Sequence, residues 1–139
     1  VVCSFCGVYG TDAPLRWFSQ QELEAIVSKS TSQASDKEVE ISLTVESEPT
    51  IQATSAIMNM LIGNLLRNAI AATNSGTVTI TLSQNSITIE DQGEGLQDQY
   101  NPNGHGLGLL IVDDLCQRYH WDFKLFNRSC GGCIAQITF

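Results

Sequence analysis

The stretch from about Ser55 to Thr73 constrains this chain most, because Ile57, Met58, Met60, Leu61, Ile62, Leu65, Leu66, Ala69 and Ile70 make a helix that is apolar nearly all the way round. Such a helix has no wet face and must be buried on several sides. Asn64 and Asn68 interrupt it at i, i+4 spacing, so both amides leave one face a single turn apart. Two chemistries fit. The amides can hydrogen-bond each other or nearby backbone, since a buried polar group must be satisfied. Alternatively Asn68 offers a neutral oxygen to Mg²⁺, a hard cation that prefers oxygen and shares its shell with phosphates and water.

Around that helix the pattern has period two. Val39, Ile41, Leu43 and Val45 alternate with Glu40, Ser42, Thr44 and Glu46, which makes a strand with one wet face. Pro49 breaks it, and Ile51 to Ala53 reads as a short extended piece. After an Asn74-Ser75-Gly76 turn, Val78, Ile80 and Leu82 alternate again, and Ile87 and Ile89 follow a turn near Gln84-Asn85, predicting an antiparallel hairpin. Trp121 to Asn127 and about Cys133 to Phe139 flank a Cys130-Gly131-Gly132 turn as a second hairpin.

Two more helices complete the set. Ser19 and Glu22 form a capping-box pattern with Phe18 and Leu23 as its staple, opening a helix from about Gln20 to Ser30. Leu107 to Tyr119 places Leu107, Ile111 and Leu115 on one side and Asp113, Asp114 and Gln117 on the other, with His120 set to cap the last carbonyls. The order predicts an α+β fold: a two-layer sandwich whose mixed, largely antiparallel sheet is covered on one face by three helices.

A chain of 139 residues holds one domain. We place that domain at residues 19–139 and read 1–18 as a linker or the tail of an upstream domain; the Val1 start fits a piece of a longer protein. The net charge of −8 repels phosphate backbones and anionic membranes, which argues against nucleic acid as a partner. No apolar run reaches the roughly 20 residues of a membrane helix, and the five cysteines, an odd number, fit a reducing cytoplasm.

Asp91 shares the parity of Ile87 and Ile89, so it points toward the helical layer, where a carboxylate must meet hydrogen-bond donors. The glycines of Asp91-Gln92-Gly93-Glu94-Gly95 let the chain turn sharply and leave room for a flat ligand at the backbone. Gly104-His105-Gly106-Leu107-Gly108 then opens a helix, and alternate glycines at a helix start let free N–H groups surround an anion, typically a phosphate. The spacing is not that of the dinucleotide-binding fingerprint.

In this order the three features resemble the GHKL ATP-binding superfamily, and most closely the catalytic domain of bacterial sensor histidine kinases. Asn64-Leu65-Leu66-Arg67-Asn68-Ala69-Ile70 is similar to its N box, Asp91 to Gly95 to its G1 box, and Gly104 to Leu109 to its G2 box. The resemblance covers about Ser19 to Phe139 and implies the Bergerat fold, with ATP between the N-box and G2 helices. It implies that Asp91 accepts from the adenine amine and that Gly93 and Gly95 border the adenine. Asn68 would ligate Mg²⁺, Asn64 would help place the phosphates, and Gly104, His105, Gly106, Leu107 and Gly108 would wrap the triphosphate. The implied activity is a protein-histidine kinase whose acceptor histidine lies on a separate dimerisation and phosphotransfer domain. A response regulator would be the indirect partner, and the full-length protein a homodimer with this part in the cytoplasm.

Four positions depart from the family pattern. Ala71 stands where many members carry a Lys, the segment from Gly95 to Gly104 is short, Cys133 replaces a frequent Thr, and Asn64 stands where hydrolytic relatives place a Glu. Asn cannot activate water as a base. A serine kinase of the anti-sigma-factor type and a nucleotide-binding module without transfer are the alternatives. Cys3-x2-Cys6 and Cys130-x2-Cys133 have the spacing of a zinc site, against which we read them as ordinary cysteines.

Overall fold

The computed structural model describes residues 14–34, 38–73, 75–92, 107–128 and 131–139. Its helices are α1 (Gln20–Ala34), α2 (Ser55–Ala72) and α3 (Leu107–Tyr119). Its strands are β1 (Arg16–Trp17), β2 (Glu38–Val45), β3 (Thr50–Ile51), β4 (Ser75–Leu82), β5 (Ser86–Glu90), β6 (Asp122–Asn127) and β7 (Cys133–Thr138).

Five strands form one sheet in the order β2-β4-β5-β7-β6, with β2 and β4 parallel and the other pairs antiparallel. Parallel strands need a crossover, and α2 supplies it between β2 and β4. The helices line up with the sheet: α1 packs on β2, α2 on β5, and α3 on β6, with α2 wedged between α1 and α3. The two-layer α+β expectation therefore holds.

The position of α2 between two helices and the sheet is why its sequence is apolar all round. Ile57, Met58, Leu61, Ile62, Leu65, Leu66, Ala69 and Ile70 are buried, and only Met60 of the apolar set reaches solvent. Val78, Ile80, Leu82, Ile87, Ile89 and Ile137 meet them from the sheet. Each such Leu or Ile contributes about 1.5–3 kcal/mol by leaving water. Thr54 caps α2 by accepting from the Ile57 N–H at 3.3 Å.

Several boundaries differ from the sequence expectation. Half of the capping box forms, with the Glu22 N–H donating to Ser19 Oγ at 3.2 Å, but the Glu22 carboxylate is taken by the two terminal nitrogens of the Arg16 guanidinium. Phe18 and Leu23 are fully buried as the staple. Helix α1 runs on to Ala34, past Ser30. Strand β4 begins at Ser75 inside the expected turn, because Gly76 at φ +128° stays in the ladder opposite Val39. Arg16 and Trp17, within the leading segment 1–18, pair with Ile51 and Thr50 in a second, two-stranded sheet, and the Phe18 N–H donates to the Pro49 carbonyl at 2.8 Å.

Helix α3 ends at His120, which caps its last carbonyls as expected and does so through its backbone N–H. His120 sits at φ +60°; its N–H donates to the Gln117 carbonyl at 3.3 Å and the Trp121 N–H to the Cys116 carbonyl at 2.8 Å, the paired bonds of a Schellman end. A side chain in that conformation costs about 1–2 kcal/mol, partly offset by glycine's greater freedom when unfolded. His120→Gly is expected to stabilise the domain by about 0.5–1 kcal/mol, read as a rise in the denaturant midpoint; a fall would show that the imidazole carries a stabilising contact.

Candidate functional site

Strand β5 delivers Asp91 as its alternation requires. Ile87, Ile89 and Asp91 are all buried on the helix side, Asp91 with 7% of its surface exposed. Strand β7 meets it as a further rung: the Asp91 N–H donates to the Cys133 carbonyl at 2.9 Å, and the Cys133 N–H donates to Asp91 Oδ1 at 3.0 Å. Arg128, just past the end of β6, donates to the Asp91 carbonyl at 3.0 Å. Gly132 passes so close that a Cβ there would strike that carbonyl oxygen. The residue with the predicted inward carboxylate is thus fixed from three sides. Burial first, and then the Asp91 charge, push the Cys133 thiol up to about 11, so it is neutral and a poor nucleophile at pH 7.

The two amides of α2 lie at the start of α3. A Cβ on Gly108 would stand 3.3 Å from Asn64 Oδ1 and 3.3 Å from Asn68 Nδ2, so a side chain there would press on both amides, and its absence lets α3 begin this near them. Asn64 is 9% exposed and doubly held: its Nδ2 donates to the Met60 carbonyl at 2.6 Å and its Oδ1 accepts from Arg67 at 2.9 Å. Asn68 is different, for its Nδ2 is buried without a hydrogen-bond partner. The two amides do not bond each other; Asn64 follows the backbone alternative, and Asn68 keeps unmet hydrogen-bonding capacity at the helix start.

Gly93, Gly95, Gly104, His105 and Gly106, and the side chain of Leu107, lie outside the described residues, as do Cys3, Cys6 and Cys130. Among the described residues no group of three His, Cys, Asp or Glu could hold a metal, and no helix is long and apolar enough to cross a membrane.

Four contributors were missed in the sequence. Arg67 shows itself only through i, i+3 spacing from Asn64. Arg128 and the close approach of Gly132 depend on strand pairing across more than 35 residues, for which no local signal exists. Gln92, exposed beyond β5, accepts the Thr77 N–H at 2.9 Å through Oε1 and ties the chain after Asp91 to β4.

With this geometry in place, comparison with known proteins decides the family. Residues 53–139 match the family described as histidine kinase-, DNA gyrase B-, and HSP90-like ATPases, which is more than half of the chain and includes α2, Asp91 and α3. The chain belongs to this ATPase family. Sensor protein CreC of Escherichia coli (strain K12) is 28% identical over 77% of this chain, which spans 27% of CreC's length. Among solved structures, the mycobacterial sensor histidine kinase MprB superposes with a TM-score of 0.76 at 20% identity, covering 90% of this chain and 95% of that one. The cytoplasmic segment of histidine kinase QseC gives 0.73 at 22% identity, covering 92% and 78%. Full-length ShkA in complex with AMPPNP gives 0.77 at 22%, covering 91% and 31%. The ATPase-family fold extends over more of the chain than the family match alone.

Proposed function

We propose that this chain is the ATP-binding catalytic domain of a two-component sensor histidine kinase, presenting Mg·ATP to a histidine on a separate dimerisation and phosphotransfer domain. The observation that carries this reading is the meeting of Gly108 with Asn64 and Asn68, one amide nitrogen of which has no partner. The CreC likeness and the histidine-kinase structures support the choice of kinase within the ATPase family.

The residues present fit both groups. Asp91 accepts from the adenine amine, with Gly93 and Gly95 bordering the ring. Asn68 offers its Oδ1 to Mg²⁺, and the amide oxygen suits a hard cation. Asn64, held rigid, faces the phosphates together with the N–H groups of the segment Gly104, His105, Gly106, Leu107 and Gly108, where the positive end of the α3 dipole favours an anion. Magnesium supplies charge neutralisation at the phosphates. The chain's own work is positioning, which is most of what phosphoryl transfer asks of a protein. Asn64 cannot deprotonate water, so the bound nucleotide is kept from hydrolysis.

Residues 1–18 are read as the linker or tail that joins this domain to the upstream one, and the whole protein is proposed to be a homodimer that serves a response regulator from the cytoplasm. Incubated with radiolabelled Mg·ATP, the isolated domain is expected to turn it over very slowly. With its native upstream domain in the same chain it is expected to label that domain's histidine through an acid-labile, base-stable bond. Rapid hydrolysis by the domain alone, phosphoserine on a partner, or binding with no transfer would each overturn the histidine-kinase reading.

A further inference from the structure

We infer that Arg67 is the cation with which α2 receives the nucleotide's polyphosphate, in place of a basic residue at 71, and that it also positions Asn64. The inference rests on the ATP reading above and concerns a residue that reading does not use. Arg67 and Ala71 are one helical turn apart on the same face of α2, and both are exposed. Ala71 offers no charge, and Arg67 is the cation one turn before it on this face.

The surroundings of Arg67 suit that role. In a chain of net charge −8, carboxylates claim other cations: Arg16 pairs with Glu22, Arg118 with Asp114 at 2.8 Å, Lys124 with Asp122 at 3.6 Å, and Arg128 with Glu90 at 3.9 Å. The hydrogen bond of Arg67 goes instead to a neutral amide oxygen, Asn64 Oδ1, at 2.9 Å. Among the described residues no carboxylate pairs with it. The guanidinium lies back along the helix over Gly63, where a Cβ would come within 3.4 Å of its Nη1, and the absent side chain keeps that path open. Asn64 Oδ1 lies 3.3 Å from where a Cβ on Gly108 would stand, as does Asn68 Nδ2, so the charge is one hydrogen bond away from the start of α3. A guanidinium presents five donors in a planar fork, so one bond to Asn64 leaves it able to meet phosphate oxygens.

The test separates charge from orientation. Calorimetry on the parent domain, Arg67→Gln, Arg67→Lys and Arg67→Ala uses ADP and adenosine as probes, at low and moderate salt. Gln keeps a donor for Asn64 Oδ1 but no charge; Lys keeps the charge. We expect Arg67→Gln to weaken ADP binding about tenfold while adenosine changes less than twofold, Lys to recover most of the loss, and the salt dependence of ADP binding to flatten in the Gln variant. Nucleotide-free unfolding midpoints of all four should agree closely, because the side chain is exposed. ADP affinity restored by Gln, or equal losses for ADP and adenosine, would overturn the inference while leaving the ATP reading standing. A parent that binds neither probe would overturn that reading and the inference with it.

Discussion

Gly132→Ala is expected to destabilise the domain by about 3 kcal/mol or more and to reduce nucleotide affinity with it. Two penalties add. Gly132 has φ +95°, where a side chain costs about 1–2 kcal/mol. The new Cβ would also be driven into the Asp91 carbonyl and crowd the backbone around Gln92, so the end of β5 must move. That movement disturbs the same rung that holds the Asp91 carboxylate against Cys133. Gly131 next door is an internal control: at φ +96° it carries the same conformational penalty, but a Cβ there meets nothing within 4 Å among the described residues. Gly131→Ala should therefore cost only about 1–2 kcal/mol and leave nucleotide affinity near that of the parent. Denaturant unfolding and calorimetry on both variants check this, and equal behaviour of the two would show that the Asp91 contact is unimportant.

These two glycines show where the sequence stops being legible. Their turn could be anticipated from composition, but the approach of Gly132 to Asp91 spans 41 positions and is created by the pairing of β5 with β7. Local periodicity, by contrast, was sufficient for α2, α3 and the inward parity of Asp91, because each element buries one face and any shift in register would expose its apolar set. The spacing of Asn64 and Asn68 put two amides on one face, yet could not say which would be satisfied. That depended on Met60, whose carbonyl one turn back takes Asn64, and on Arg67, which takes the other end. The half-formed capping box has a similar origin, since Glu22 is drawn to Arg16, a residue whose place is fixed by β1 pairing with β3. Arg16 Nε also donates to the Ala53 carbonyl at 2.7 Å, just before the cap of α2.

Asp91→Asn is expected to lower affinity for ATP by about 10- to 100-fold with little change in stability, since a mispaired buried polar group costs about 1–3 kcal/mol. Geometry makes the substitution selective. An Asn at 91 still has an Oδ1 for the Cys133 N–H, the 3.0 Å bond that joins the carboxylate to β7, so the strand contact survives. Its amide NH2 replaces the second carboxylate oxygen, and a donor then faces the adenine amine, which is itself a donor. The same replacement should improve the relative binding of inosine triphosphate, whose ring carries an acceptor oxygen in place of the amine. Asp91→Ala behaves differently, because it leaves the Cys133 N–H without its acceptor in a buried setting and should cost about 1–3 kcal/mol of stability as well as binding. Calorimetry with ATP and inosine triphosphate, alongside unfolding of the three proteins, separates ligand recognition from folding. Unchanged ATP affinity in the Asn variant would remove Asp91 from the adenine site, whereas a reversal of the ATP-to-inosine preference could come only from direct contact between this side chain and the purine.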